Sequence, residues 1–238
     1  MTRAGRTVRF DGVTKRYGSV TAVADLTLAV EDGLHCLLGP NGSGKSTLLR
    51  LAAGLTRPTA GRVEAPAELG VGFQRPSFYP GLSVRENVWT FASLSGATDG
   101  EWLQTVVDEL RLDRALDRRA GGLSEGFARK LDLALAFLRR PPVVLLDEPL
   151  GALDDLSRER FLAFVGAYAD GRLDGGADAA DRTVLVATHR LSEFRAHADR
   201  VAVLHRGELV ADDLSPDDDT LVDGYARRLL DRENGTVR

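Results

Sequence analysis

Residues 39–46 form a glycine-rich segment whose residue types and spacing suit phosphate binding. The segment reads GPNGSGKS and matches the pattern G-x-x-x-x-G-K-[ST]. Glycine allows the backbone to curl until successive amide N–H groups point at phosphate oxygens, and the start of a following helix adds partial positive charge. We expect Lys45 to reach the terminal phosphates and the Ser46 hydroxyl to coordinate Mg²⁺. The predicted phosphate-binding residues are Gly39, Pro40, Asn41, Gly42, Ser43, Gly44, Lys45, Ser46 and Thr47.

A pair of carboxylates follows an apolar run later in the chain. Residues 143–146 read VVLL, and Asp147 and Glu148 come directly after them. A carboxylate at the end of a buried strand can hold Mg²⁺ through water, and its neighbour can polarise an attacking water molecule as a general base. Together with the glycine-rich loop, this pair indicates a site for a nucleoside triphosphate. These residues do not show whether the nucleobase is adenine or guanine, although the Asn-Lys-x-Asp segment typical of GTPases does not occur in the sequence.

The hydrophobic pattern predicts the elements that must position these residues. An apolar run at 34–38 predicts a buried strand before the loop, and leucines at helical spacing predict a helix over 45–55 after it. Ser83 and Glu86 have the spacing of a capping box at a helix start. Trp89 and Trp102 are expected in the core. The other predicted elements are strands at 6–11, 20–30, 143–146 and 183–187, a strand pair at 61–73, a mainly helical block over 77–138, a helix over 155–169, a hairpin of 200–205 with 208–211, and a last helix near 221–230.

Composition indicates a folded globular protein. The chain is 43% hydrophobic and 28% charged, with a net charge of −4, which excludes wholesale disorder and gives no general attraction to nucleic acid. Cys36 is the one cysteine, so no intrachain disulfide can form; a reducing compartment and a buried, inert thiol are expected. No apolar stretch approaches the roughly 18 residues of a membrane span, and the first residues lack the hydrophobic region of a signal peptide.

Four further segments resemble the ordered motifs of one family, the ABC transporter ATPases. Residues 123–126 read LSEG and are similar to the family's signature, whose usual form is Leu-Ser-Gly-Gly-Gln. Gln74 resembles the glutamine of the Q-loop, residues 151–154 (GALD) resemble the D-loop, and His189 resembles the switch histidine. Tyr17 is placed like the aromatic residue that stacks on adenine. The resemblance covers residues 6–211, with all elements in the family's order.

The resemblance implies an α/β fold with three parts. These are a P-loop NTPase core with a mixed sheet, a small, shortened N-terminal antiparallel β subdomain, and a helical signature subdomain. Residues 1–238 would form a single ABC ATPase domain. Residues 1–73 and 140–211 would form the nucleotide-binding core with the β subdomain, 74–139 the helical subdomain, and 212–238 an acidic linker and C-terminal helix.

The resemblance also assigns roles to individual residues, with ATP and Mg²⁺ as the ligands. The implied catalytic residues are Glu148, His189, Gln74 and Lys45. The implied nucleotide contacts outside the glycine-rich loop are Tyr17, Ser124, Gly126 and Asp154. The implied metal-binding residues are Ser46, Gln74 and Asp147.

The same resemblance implies an assembly. Two nucleotide-binding subunits, identical or different, would face each other head to tail, with each ATP between the glycine-rich loop of one and the signature of the other. Separate transmembrane permease subunits would dock near residues 75–88 and hold the subunit at the cytoplasmic side of the cell membrane, and no nucleic acid is expected. Residues 78–87 resemble exporters more than sugar importers. The alternatives are an ABC-type ATPase that moves no solute and an ATP-dependent binding switch.

The sequence departs from the family pattern in several places. The signature has Glu125 and Phe127 where glycine and glutamine are usual. Phe127 either faces the subunit interface or packs into the helical core, and we expect the core because a bulky ring disfavours water. The segment between Gly61 and Gln74 is short for an antiparallel subdomain. Residues 170–182 are an extra polar stretch, which we expect to be mobile and dispensable. Residues 212–219 are expected to form an acidic, solvated linker.

Overall fold

Two β-sheets and five α-helices make up the computed structural model, which describes residues 6–75, 77–174 and 182–217. The strands are β1 (Val8–Tyr17), β2 (Val20–Val30), β3 (Gly33–Leu38), β4 (Ala60–Glu64), β5 (Leu69–Gly72), β6 (Val143–Asp147), β7 (Thr183–Thr188), β8 (Arg200–His205) and β9 (Glu208–Leu214). The α-helices are α1 (Lys45–Ala52), α2 (Val84–Ser95), α3 (Gly100–Glu109), α4 (Glu125–Phe137) and α5 (Asp155–Ala169).

The larger sheet positions the candidate site. Its strand order is β5-β6-β7-β3-β8-β9, with β9 antiparallel and the other neighbours parallel. Every residue of β6 and β7 is buried, since both faces of a parallel sheet are covered. The loops after β3, β6 and β7 therefore emerge at one edge of the sheet, where ligands of open α/β sheets bind.

Alternate residues of the central strands enter two separate cores. Leu145 of β6 packs with Phe10 of β1 and Leu48 of α1, on the side covered by the small antiparallel sheet β2-β1-β4. Val144, one residue earlier, packs with the helices on the opposite face. Cys36 of β3 is fully buried, and burial raises the pKa of its thiol to about 12. The expectation that this thiol is buried is confirmed.

The helical part has an aromatic core. Trp102 of α3 is buried, stacks on Phe164 of α5 with ring centroids 6.2 Å apart, and donates its Nε1–H to the Phe137 carbonyl at 2.7 Å. The prediction for Trp102 is confirmed, but that for Trp89 is wrong, because the side chain is 63% exposed. Helix α2 buries Val88, and the next residue is rotated by about 100° and faces outward.

The predicted strand pair at 61–73 is wrong. Strand β4 pairs antiparallel with β1, whereas β5 pairs parallel with β6 in the other sheet. Two strand-like segments separated by a turn do not reveal whether they pair with each other or with distant strands. Gly70 of β5 shows how closely α4 covers this edge, since a Cβ there would lie 2.0 Å from the Ala136 carbonyl oxygen.

Other element boundaries shift by a few residues. Helix α1 ends at Ala52 rather than at residue 55, and β9 extends through residues 212–214, which were expected in the acidic linker. Helix α5 begins and ends at the predicted residues, and the Ser83 capping box of α2 is present with both hydrogen bonds.

The extra stretch at 170–182, which was expected to be mobile and dispensable, contacts the rest of the protein at both ends. Leu173 packs against the core, and the Arg182 guanidinium lies 4.6 Å from the centre of the Tyr168 ring. Three parts of the chain lie outside the described residues. They are residues 175–181, the end of the predicted acidic linker from residue 218 onward, and the predicted helix at 221–230.

Candidate active site

The glycine-rich loop connects β3 to α1 and is packed too closely for larger residues. Gly44 has φ of +107°, and a Cβ there would lie 2.4 Å from the Ala22 carbonyl oxygen. A Cβ on Gly39 would lie 2.3 Å from the Leu204 carbonyl oxygen. These glycines allow the loop to wrap around the start of α1, whose first amide groups carry partial positive charge.

Lys45 lies inside the curl of this loop. Its side chain is buried, and its ammonium donates hydrogen bonds to the carbonyls of Gly39 at 2.6 Å and Pro40 at 3.1 Å. Burial lowers the pKa of this ammonium, while the nearby carboxylates of Glu148 and Asp147 act in the opposite direction. The cation is therefore confined to the place where the loop amides would meet a phosphate.

Asp147 ends β6 beside the loop and fits a metal ligand. It is 3% exposed, and burial raises the pKa of its carboxyl despite a hydrogen bond from the Ser46 hydroxyl. Its Oδ1 is buried without a hydrogen-bond partner in the described part of the chain. A buried carboxylate oxygen of this kind next to a hydroxyl suits a hard cation such as Mg²⁺, which completes its shell with phosphate oxygens and water.

Glu148 is held in an unusual backbone conformation. Its φ is +46°, a region that residues with side chains rarely adopt. Its amide donates to the Ala187 carbonyl at 2.9 Å, and its Oε1 lies 2.9 Å from Nδ1 of His189. The structure thus brings together the predicted general base and the predicted switch histidine at the ends of β6 and β7.

An open cavity of about 380 Å³ lies between the glycine-rich loop and the carboxylates at the end of β6. It is lined by Ala22, residues 41–47, Gln74, Asp147 and Glu148. His189 lines a smaller separate cavity together with Glu148. A larger cavity of about 730 Å³ lies at the opposite edge of the sheet, but carboxylates such as Asp32 and Asp199 line it and would repel a polyphosphate. The cavity of about 380 Å³ is therefore the candidate nucleotide site.

The predicted signature residues lie outside this cavity. Ser124 caps α4 by accepting a hydrogen bond from the Phe127 amide at 3.4 Å. A Cβ on Gly126 would lie 3.1 Å from the Ala152 carbonyl oxygen, so the start of α4 lies against the predicted D-loop. Asp154 caps α5 by accepting two hydrogen bonds from Ser157, both at 2.9 Å.

Tyr17 and Phe127 are both partly exposed. Tyr17, at the end of β1, is 46% exposed, with the Lys15 ammonium 4.9 Å from the ring centre. Phe127 is half-buried: it packs against the edge of the helical core, and the Lys130 ammonium lies 5.1 Å from its ring centre. Neither of the two placements considered for Phe127 describes it fully.

Sequence reasoning missed one charged pair at the site. Arg129 and Asp132 of α4 are both buried and form an ion pair at 3.1 Å. The Arg129 guanidinium also donates to the carbonyls of Asp147 and Glu148 at 2.9 and 3.1 Å. The signal available in the sequence was a pair of opposite charges at i, i+3 in α4.

Comparison with known proteins relates the chain to a large family. The family described as "ABC transporter" matches residues 23–151. The chain is 38% identical over 206 residues to the aliphatic sulfonates import ATP-binding protein SsuB of Granulibacter bethesdensis, covering 84% of this chain and 80% of that protein. It is 29% identical to the bacitracin transport ATP-binding protein BcrA of Bacillus licheniformis, covering 85% of this chain and 68% of that protein.

A solved structure agrees with these sequence relatives. The dimeric post-hydrolysis state of an ATP-binding cassette bound to ADP and Pi superposes with a TM-score of 0.73 at 26% identity, covering 86% of this chain and 97% of the other. The α/β fold with a mixed and an antiparallel sheet, predicted from sequence, is confirmed. No helix within residues 6–75, 77–174 and 182–217 is long and apolar enough to cross a membrane.

Proposed function

The chain belongs to the ABC transporter family as an ATP-hydrolysing, ATP-binding subunit, and on that premise we propose how its residues bind and hydrolyse ATP. The observation that carries the proposal is the single cavity lined by the glycine-rich loop, Gln74, Asp147 and Glu148. We assign the triphosphate of ATP to this cavity, with adenine stacked on the half-exposed ring of Tyr17.

The loop and Lys45 bind the phosphates. Residues 41–47 line the cavity, so their free amide N–H groups would bind phosphate oxygens, and Lys45 would compensate the charge of the terminal phosphates. Ser46, Gln74 and Asp147 would hold Mg²⁺, which neutralises charge on the phosphate oxygens when bound. The buried, unpartnered Oδ1 of Asp147 supports this assignment.

Glu148 acts on water. Its carboxylate accepts the proton of the attacking water, and His189, 2.9 Å from Oε1, holds that carboxylate in place. The positive φ of Glu148 and the hydrogen bond from its amide N–H to the Ala187 carbonyl direct the side chain toward the cavity. The base is therefore oriented before substrate binds.

A second nucleotide-binding subunit completes each site. Ser124 and Gly126 lie outside the chain's own cavity, and the helix start that they form suits the terminal phosphate of a nucleotide held by a partner. Glu125 is exposed, which allows its carboxylate to turn away from that phosphate. ATP would stabilise the closed pair, and hydrolysis would remove that stabilisation.

An exposed apolar surface beside the site suits a permease subunit. Tyr79, Trp89 and Leu94 are 50%, 63% and 73% exposed, and the rings of Tyr79 and Phe91 lie 5.6 Å apart. Buried Asn87 fixes the loop that carries Tyr79. The Oδ1 of Asn87 accepts a hydrogen bond from the Tyr79 amide at 2.8 Å, and its Nδ2 donates to the Tyr79 carbonyl at 3.0 Å. Exposed apolar side chains on a fixed loop and its following helix suit a protein interface, and we assign them to membrane-bound permease subunits that hold the protein at the cytoplasmic side of the membrane.

We also propose a direction of transport. The named relatives include an import protein and a bacitracin transport protein, and we retain the exporter-like assignment on residues 78–87 alone.

The function is tested by measuring phosphate release from Mg·ATP. The purified chain should hydrolyse ATP alone, and candidate permease subunits in vesicles should bind it and stimulate the rate several-fold. Hydrolysis that no membrane subunit binds to or alters would favour an ABC-type ATPase that moves no solute, and binding of ATP without hydrolysis would favour a switch.

A further inference from the structure

We propose that Arg129 is a positioning residue for ATP hydrolysis, which fixes the main chain beneath Glu148 and at the start of the segment that carries Gln74. The inference rests on the proposed role of Glu148 as general base. It goes further, because it assigns the geometry of that base to a residue on a different element, the second turn of α4.

The guanidinium of Arg129 uses all its donors within the protein. Five contacts match the five N–H groups of an arginine side chain. Nε donates to the Pro149 carbonyl at 3.1 Å, and Nη2 donates to the carbonyls of Asp147 at 2.9 Å and Glu148 at 3.1 Å. Nη1 donates to the Phe73 carbonyl and to Oδ2 of Asp132.

Three of these acceptors belong to consecutive residues. The carbonyls of 147, 148 and 149 converge on one buried side chain, which is 5% exposed. Converging carbonyl dipoles repel each other unless a cation lies between them, and the positive φ of Glu148 adds strain to the same turn. A planar fork of donors offsets both costs, whereas lysine, with a compact ammonium, cannot span three carbonyls and a carboxylate.

Asp132 extends the arrangement to the Gln74 segment. Its Oδ2 contacts Arg129, and its Oδ1 accepts a hydrogen bond from the Ser77 amide at 2.7 Å. Since Arg129 also holds the Phe73 carbonyl, one buried ion pair fixes both ends of residues 73–77. Gln74 lies within that segment and lines the nucleotide cavity.

The first test is Arg129→Lys, which retains the charge that pairs with Asp132. We expect kcat to fall at least tenfold while the Kd of ATP stays within twofold, because Arg129 does not line the cavity. The double variant Arg129→Met with Asp132→Leu removes both buried charges together, which is better tolerated than removing one, and should show the same loss of kcat. Arg140→Lys is the matched control: its guanidinium packs 4.4 Å from the Trp102 ring centre, and its kcat should stay within twofold of wild type.

A mutant cycle separates positioning from general damage. If Arg129 acts through Glu148 and Gln74, adding Arg129→Lys to the double variant Glu148→Gln with Gln74→Ala should change the residual hydrolysis rate less than twofold, since both groups that it positions are already absent. A further tenfold loss in that background, or normal kcat for Arg129→Lys alone, overturns the inference. Normal hydrolysis by Glu148→Gln with Arg129 intact would instead overturn the proposed role of the base.

Discussion

At the scale of single residues, the site depends on charged groups buried in defined positions. Lys45 and Asp147 are 6% and 3% exposed, and burial lowers the pKa of the ammonium and raises that of the carboxyl. Burial therefore destabilises both charged forms, and a bound triphosphate with its cation would compensate both. Two predictions follow from this electrostatic arrangement.

Replacement of Lys45 should abolish nucleotide turnover. Lys45→Ala removes the cation that lies within the curl of the loop, so we expect ATP affinity to fall at least tenfold and hydrolysis to become undetectable. Fluorescent ATP titration and a phosphate-release assay measure the two effects. Arg62→Ala, which removes an exposed cation paired with Glu64, should change neither; wild-type hydrolysis by Lys45→Ala would contradict the loop assignment.

Asp147→Asn should stabilise the protein without nucleotide while abolishing hydrolysis. A carboxyl whose pKa is raised in the folded state lowers stability above that pKa, and the cost disappears below the unfolded-state pKa, where both states are protonated. The gain in Tm should therefore be present at pH 7.5 and should diminish as the pH falls toward about 4. For a chain of this length each kcal/mol corresponds to about 2–4 °C.

The control for this pH dependence is Asp117→Asn, since the Asp117 side chain is 87% exposed. Thermal melts of the two variants and wild type in metal-free buffer at several pH values give the comparison. An unchanged or lower Tm for Asp147→Asn at pH 7.5 would show that burial of this carboxylate has no net cost.

At the scale of elements, α4 combines three functions along its length. Its start presents Ser124 and Gly126, its second turn places Arg129 and Asp132 against the catalytic turn, and its end packs Phe137 among the aromatic residues of α5. Any change in the packing of α4 should therefore affect stability and turnover together.

Phe127→Gln tests how α4 is seated. The ring is partly buried, so we expect a loss smaller than the value of about 1.5–3 kcal/mol for a fully buried side chain and a Tm lower by a few degrees, at about 2–4 °C per kcal/mol. ATP-driven dimerisation should rise, because glutamine restores a polar contact at the interface. Phe137→Gln, whose ring is fully buried, should cost clearly more; an equal loss would place Phe127 in the core, and no loss would place it wholly at the interface.

Trp89→Asp tests the docking surface on α2. A carboxylate in an apolar interface should weaken association with the permease at least tenfold, while basal ATPase stays within twofold. Leu55→Asp is the control, because Leu55 is similarly exposed at 66% but lies beyond α1. Pull-down from vesicles and permease-stimulated ATPase measure the effect, and full stimulation of Trp89→Asp would move the docking surface elsewhere.

At the scale of the whole molecule, the catalytic and signature groups are divided between two surfaces. The cavity is lined by residues 41–47, Gln74, Asp147 and Glu148, whereas Ser124 lies outside it. The site proposed above is therefore complete only with a second subunit in reciprocal orientation.

Glu148→Gln should trap this assembly. Loss of the base should slow hydrolysis about 100-fold or more, so ATP should persist and hold two subunits together. Size-exclusion chromatography should show a dimer with ATP and a monomer with ADP. Adding Ser124→Arg should return the trapped form to monomer; a dimer that persists with this second change would show that the signature does not form the interface.

Features that depend on neighbouring residues were predictable from sequence. The glycine-rich loop, the Ser83 capping box and helix α5 all matched, because hydrogen bonds within a few residues determine loop curl and helix ends. The apolar run at 143–146 likewise predicted the carboxylates at the end of β6. They lie near the loop because parallel strands bring their carboxyl ends to one edge of the sheet.

Features that depend on distant contacts required the tertiary structure. Segments β4 and β5 are neighbours in sequence, and only their partners β1 and β6 place them in different sheets. Trp89 is exposed because the adjacent Val88 faces the core. The contacts of Arg129 with carbonyls 18 to 20 residues away exist only after α4 packs against the end of β6. Sequence patterns encode local backbone geometry, whereas strand partners and the contacts of a buried charge are decided when separate elements pack together.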